Sequence, residues 1–161
     1  MGILIKKMET EEEIEGKAYV HWRSWSETYP GLISQQILDA QNTLERCEEA
    51  AFRWPDHLLV AKDGDRVIGF VGYGHRDEDP SDVGEVFALY VLAEFHGKDL
   101  GRQLMEAALE QLKEYRQVRL WTLKGNSRAI RFYQKCGFVP DGEEKVNTRI
   151  AATEIRMVLK R

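Results

Sequence analysis

Between residues 89 and 105 the sequence reads LYVLAEFHGKDLGRQLM, an apolar run that gives way to helical periodicity across about five residues of turn. A helix that starts at such a turn leaves its first backbone N–H groups without carbonyl partners, and these amides and the positive end of the helix dipole attract a diphosphate. Gly97 and Gly101 bracket the first helical turn and allow an anion to approach with no Cβ in its way. Lys98 and Arg102 stand beside them, either paired with phosphate or solvated. Trp22, Trp25 and Tyr29 recur at helical spacing, which suits either a core stripe or a pocket wall offering cation–π contact to an ammonium ligand. His21, His57 and His75 share no ligand spacing, and Cys47 and Cys136 form no CxxC, so no metal is expected.

The elements that must hold these residues follow from punctuation and period. Residues 3–8 read as a short edge strand. Thr10 with Glu13 three positions later forms a capping box that opens a helix running to about Trp25. Pro30 and Gly31 break it, and Ser34 caps a second helical stretch that continues to Pro55. Residues 58–62 and 66–75 are strands joined through Asp63-Gly64, a hairpin signal. Residues 84–92 are apolar almost throughout and read as a central strand covered on both faces. Leu100, Leu104, Ala108 and Leu112 then mark one face of a helix, residues 118–123 a strand, and NSRAIRFYQKCG a helix capped by Asn126 or Ser127 and closed by Gly137. FVP starts another extended piece, and residues 153–159 alternate as a last strand. The order predicts an α+β fold, a mixed and mostly antiparallel sheet flanked by helices with one central βαβ unit, as a single domain over residues 1–161.

LYV before the turn, His96-Gly97-Lys98-Asp99-Leu100-Gly101 within it, and NSRAIRFYQKCGF after the next strand together resemble the GCN5-related N-acetyltransferase (GNAT) family. The family's turn reads Arg or Gln, two residues, Gly, one residue, then Gly or Ala; here His96 and Asp99 depart from it and Gly101 keeps it. The resemblance covers residues 58–138, and HWRSWSETYPGLI is similar to the acceptor-side segment of bacterial small-amine acetyltransferases in that family. It implies acetyl-CoA as cosubstrate and acetyl transfer to a primary amine, a small molecule or polyamine. Its cosubstrate contacts fall on Leu89, Tyr90 and Val91 along the strand edge, on His96 through Arg102, and on Asn126 and Tyr133. Tyr133 corresponds to the family's proton donor to the CoA sulfur, though the Phe132-Tyr133 pair also suits packing. Asn126 corresponds to a residue that bonds the pantetheine arm and can cap its helix as well. Glu85 is the candidate general base, with a solvated strand end as the other possibility; Glu85, Trp22, Trp25 and Tyr29 make the acceptor side. Neither cysteine falls where an acetyl-enzyme would form, which favours direct attack in a ternary complex. The alternative is a CoA-binding module without turnover, prompted by the carboxylate of Asp99; Tyr133 speaks against it.

Composition narrows the remaining choices. The 161 residues, 43% hydrophobic, suffice for one core, and the formal charge of −4 without a basic stripe excludes a nucleic-acid track. The phosphate-binding pattern GxxxxGK[ST] is missing, which sets aside a P-loop nucleotide binder. No run of eighteen apolar residues or leader pattern is visible, so a cytoplasmic protein without a membrane partner is expected. The final alternating strand could serve a homodimer.

Overall fold

The computed structural model describes residues 2–161. Strand β1 (Ile3–Lys7) leads into helix α1 (Glu11–Thr28), opened by a complete capping box. Thr10 Oγ1 accepts from Glu13 N–H at 3.1 Å, and the Glu13 carboxylate accepts from Thr10 N–H at 3.1 Å. The expected second helix is two: α2 (Gln35–Gln41), capped by Ser34, and α3 (Leu44–Arg53), capped by Thr43. Thr43 offers its hydroxyl to Arg46 N–H at 3.2 Å, and a side chain that bonds the backbone ahead of it starts a new helix instead of continuing the old one.

Next come β2 (Leu58–Asp63), β3 (Arg66–Gly74), β4 (Val83–Val91), α4 (Leu100–Gln111), β5 (Gln117–Leu123), α5 (Ser127–Lys135), β6 (Val139–Asn147) and β7 (Ala152–Lys160). They form one sheet in the order β1-β2-β3-β4-β5-β7-β6. All neighbours run antiparallel except β4 and β5, which the α4 crossover makes parallel. The fold is α+β, a mixed seven-stranded sheet flanked by helices, as the sequence predicts. Helix α1 packs over β3 and β4, and α4 over β2, β3 and β4, around a core that includes Val20, Phe70, Leu104, Leu120 and Phe138. A smaller cluster of Ile33, Leu38, Leu123 and Ile150 closes the other side of β5.

Two features of β4 open the sheet. Gly72 pairs with Ala88 and Tyr73 with Val86, so Phe87 is an extra residue, and such a bulge bends its strand. On the other side β4 pairs with β5 only from Val83↔Gln117 to Glu85↔Arg119 and then diverges. The strand is therefore not covered on both faces throughout: Val83–Val86 are buried, whereas Phe87 is exposed and Ala88–Val91 are half-buried along a gap. The extended piece that FVP starts is β6, a nine-residue edge strand whose length the sequence does not announce. Asp141, Glu143, Glu144 and Lys145 hide its pattern, and an outermost strand exposed along nearly its whole length tolerates them.

Among the described residues no helix is long and apolar enough to cross a membrane.

Candidate active site

Where β4 leaves β5 a cavity of about 670 Å³ opens, walled by Leu89–Val91 of β4, Thr122 and Leu123 of β5, the turn before α4, and α5. Of the residues singled out in the sequence it gathers Trp25, Tyr29, Leu89, Tyr90, Val91, His96, Gly97, Asp99, Leu100, Gly101, Arg102, Asn126 and Tyr133. Trp22, Glu85 and Lys98 are not on its walls. Trp22 packs beside Tyr19 and against Ala18, Cys47 and Ala51. Lys98 holds its ammonium 5.4 Å from the centre of the Phe95 ring.

The turn is set by three local choices. The His96 ring spans it: Arg128 can only donate, so its contact at 2.9 Å makes Nδ1 the acceptor, and Nε2–H donates to the Val91 carbonyl at 2.8 Å. Asp99 then takes the left-handed conformation, φ 65°, which aspartate tolerates better than most side chains. The first hydrogen bond of α4 runs from Gln103 N–H to Asp99 C=O at 3.1 Å, so the amides ahead of Gln103 have no helical carbonyl behind them. Finally, a Cβ on Gly101 would sit 3.3 Å from two Phe132 ring atoms; glycine lets α5 lie against this turn. The carboxylate that raised doubt about cosubstrate binding is occupied. Both Asp99 oxygens accept from Arg102, at 2.9 Å each, and this hydrogen-bonded guanidinium lowers the pKa of the acid. The ground for a binding-only module thereby weakens.

At the inner end Tyr133 enters from α5 with its ring against Phe132 and Phe138, and among the described residues no protein group hydrogen-bonds its hydroxyl. Burial, then the neighbouring Tyr90 phenol, raises its pKa well above 10. Tyr90 stands at the centre of a polar cluster: its hydroxyl accepts from Trp25 Nε1–H at 3.0 Å and shares a hydrogen with the Tyr29 hydroxyl at 3.0 Å. Burial pushes Tyr29 up to about 12. The Tyr90 side chain, not only the strand edge expected of it, is thus part of the wall. Asn126 caps α5, its Oδ1 accepting from Ala129 N–H at 3.2 Å, and still lines the cavity, so the capping and lining positions coincide.

Glu85 requires a correction. It is 3% exposed, and its two oxygens accept from Arg76 Nε at 2.9 Å and Nη2 at 3.1 Å, away from the cavity. A buried carboxylate whose two oxygens are held by the fork of an exposed guanidinium is placed as an ion-pair partner and does not face the cavity. The carboxylate on the inner wall is Glu154 of β7, opposite Leu123 of β5 and accompanied by Arg149 from the β6–β7 loop. Sequence reasoning missed both. Glu154 is one acid in an alternating strand, and only the placement of β7 beside β5 brings it here.

The model of the Acetyltransferase (GNAT) family matches residues 17–138, which includes β4, the turn, α4 and most of the cavity wall. This chain belongs to the GNAT family. It is an acetyl-CoA-dependent N-acetyltransferase, similar to the N-acetyltransferase YuaI of Bacillus subtilis strain 168 at 30% identity over 91% of this chain and 86% of that one. An N-acetyltransferase of Archaeoglobus fulgidus is 36% identical over 69% of this GNAT chain and 79% of its own. The fold matches the PaiA N-acetyltransferase from Thermoplasma acidophilum in complex with coenzyme A, with TM-score 0.77 and 24% identity over all of both chains. The GNAT cavity fits that cosubstrate: an open strand edge along Leu89–Val91 ends at a turn of free amides, and the volume suits a long thin ligand.

Proposed function

We propose that this GNAT enzyme acetylates the primary amine of a small molecule by direct attack in a ternary complex, with Tyr133 as hydrogen-bond donor to the leaving sulfur and Glu154 as proton acceptor. The carrying observation is the Tyr133 hydroxyl, free of protein partners on the wall of the gap between β4 and β5. Acetyl-CoA supplies the activated acetyl group; the residues of this chain hold it, align the amine and handle protons.

The turn amides ahead of Gln103 receive the diphosphate and the edge of β4 receives the pantetheine arm. The amine, between the Trp25–Tyr29–Tyr90 cluster and Glu154, attacks the thioester carbon once neutral. A C–N bond forms, the C–S bond breaks, the nitrogen yields a proton to Glu154 directly or through water, and the sulfur departs as CoA thiol with Tyr133 donating. Aromatic walls and a carboxylate support a cationic amine as acceptor, polyamines included. Cys136 and the buried Cys47 are free, which supports a reducing, cytoplasmic setting. A single sheet running through all seven strands supports one acetyltransferase domain; the final strand β7, expected to serve a homodimer, is paired on both sides between β5 and β6, so a homodimer would form on the exposed β6 edge instead.

Initial rates of thiol release with acetyl-CoA and a panel of amines, diamines, polyamines and amino acids test this reading. Lines that intersect as both substrates vary are expected. Parallel lines with a trapped acetyl-enzyme would exclude the ternary complex, and acetyl-CoA binding without thiol release for every amine would exclude the acceptor class.

A further inference from the structure

A second cavity, of about 610 Å³, lies between α1, the α2–α3 pair and the β6–β7 loop. It shares Trp25 and Arg149 with the cavity of the acetyl-transfer site and none of the turn residues that face the diphosphate. Its walls carry the guanidinium groups of Arg46, Arg53 and Arg149 against one carboxylate, Glu49. Among the described residues none of these three arginines joins an ion pair, whereas Arg23, Arg66, Arg76, Arg102, Arg119 and Arg156 each hold a carboxylate. In a chain of net charge −4 such a local excess of cations is a selective surface.

The heads are also held. Arg46 Nη2 donates to Gln41 Oε1 at 3.3 Å, the Arg53 guanidinium lies 5.2 Å from the centre of the Trp54 ring, and among the described residues the other guanidinium donors of both have no protein acceptor. Beneath them His21 lines the same cavity, and its Nδ1 is buried with no hydrogen-bond partner. Burial, then the charges of Lys17 and Arg149, lowers its pKa to about 3, so the ring is neutral and Nδ1 can donate one hydrogen to an oxyanion. A polyamine alone would find three cations here.

We infer that the acceptor of this enzyme is a primary amine carrying a remote anionic group, a carboxylate or a phosphate, received by Arg46, Arg53 and Arg149 while its amine enters the acetyl-transfer cavity past Trp25. This rests on the transferase reading above and deepens it. Arg149, which faces both cavities, stands where the two ends of such a molecule meet.

The test compares kcat/KM for ω-amino acids, ω-aminoalkyl phosphates, amino alcohols and diamines of matched chain length, in wild type and in Arg46→Gln/Arg53→Gln, whose side chains line the second cavity alone. All three arginines are exposed, so the variant should keep the wild-type melting curve. Wild type should prefer an anionic acceptor over the diamine of equal length by about thirtyfold, and higher salt should reduce the preference. The variant should lose most of it through KM, with kcat and the amino alcohol rate little changed; the better of carboxylate and phosphate names the group. Equal or better use of diamines, or an equal loss for neutral and anionic acceptors in the variant, would overturn the inference and leave the transferase intact. Thiol release from no amine at all would overturn the transferase reading itself.

Discussion

Tyr133→Phe removes one oxygen and leaves the packing of α5 in place. The ring keeps its edge contacts with Phe132 and Phe138, at centroid distances of 5.4 and 6.3 Å, and no protein hydrogen bond to the hydroxyl is lost. The variant should therefore melt within about 2 °C of wild type. The catalytic loss follows from the site. Burial holds the phenol above its ordinary value of 10.0, but the same dry wall also raises a departing thiolate, so the two stay near balance. A hydrogen bond to a charged partner contributes about 1.5–3 kcal/mol, which corresponds to a fall in kcat of roughly 10- to 150-fold. The KM for acetyl-CoA should move less than about threefold, because the bond forms mainly as sulfur becomes negative. Steady-state thiol release from pH 6 to 10, with calorimetric titration of acetyl-CoA, measures all of this. Wild type should show no descending limb from Tyr133 within that range, since a phenol raised above 10 remains protonated. A kcat within threefold of wild type, or a limb below pH 10 that the variant abolishes, would mean that Tyr133 does not donate or that its surroundings are wetter than the structure implies.

Glu154→Gln should lower kcat/KM by about a hundredfold, while Glu85→Gln keeps kcat within twofold and lowers urea stability by about 1 kcal/mol through its half-exposed Arg76 pair. Asp99→Gly should lower the KM for acetyl-CoA several-fold, because glycine relaxes the left-handed turn and frees Arg102 for phosphate; a raised KM would show that the Asp99–Arg102 pair builds the turn. Glu13 is 3% exposed beneath a thin cover at the edge of the sheet, with Lys6 at 2.7 Å and Lys62 at 3.0 Å. The burial that opposes its charge is outweighed by bonds from Lys6, the Glu9 and Thr10 amides and Lys62, so its folded pKa lies below the ordinary 4.5. Its stabilisation is full above that value and is lost as pH falls through the folded pKa; Glu13→Gln should be less stable by about 2 kcal/mol at pH 7, with the gap closing below pH 4.5 in urea titrations.

What could be foreseen depended on whether its cause was local. The Thr10–Glu13 capping box, the Asp63-Gly64 hairpin and the strand–turn–helix around Gly97 are made by residues within a few positions of one another, and all three stand as expected. The break at Thr43 was hidden because a threonine inside an otherwise helical run gives no sign of which backbone group it will bond. Glu85 sits at the strand position expected of it, yet its partner Arg76 arrives from the chain just beyond β3, and that contact decides what the carboxylate does. Glu154 reaches the cavity only because β7 inserts between β5 and β6, a pairing no neighbouring residue announces.

The family match ends at residue 138, and Arg149 and Glu154 lie beyond it. On the proposed reading the thioester meets β4, α4 and α5, whereas the acceptor meets Trp25, Tyr29 and Tyr90 together with the β6–β7 hairpin, which lies outside that match. Changes in the hairpin leave the turn at Gly97 and the edge of β4 untouched, so selection can exchange one acceptor for another while the acetyl donor stays constant. Chimaeras that swap the β6–β7 hairpin, Val139–Lys160, between relatives should therefore carry acceptor preference with them.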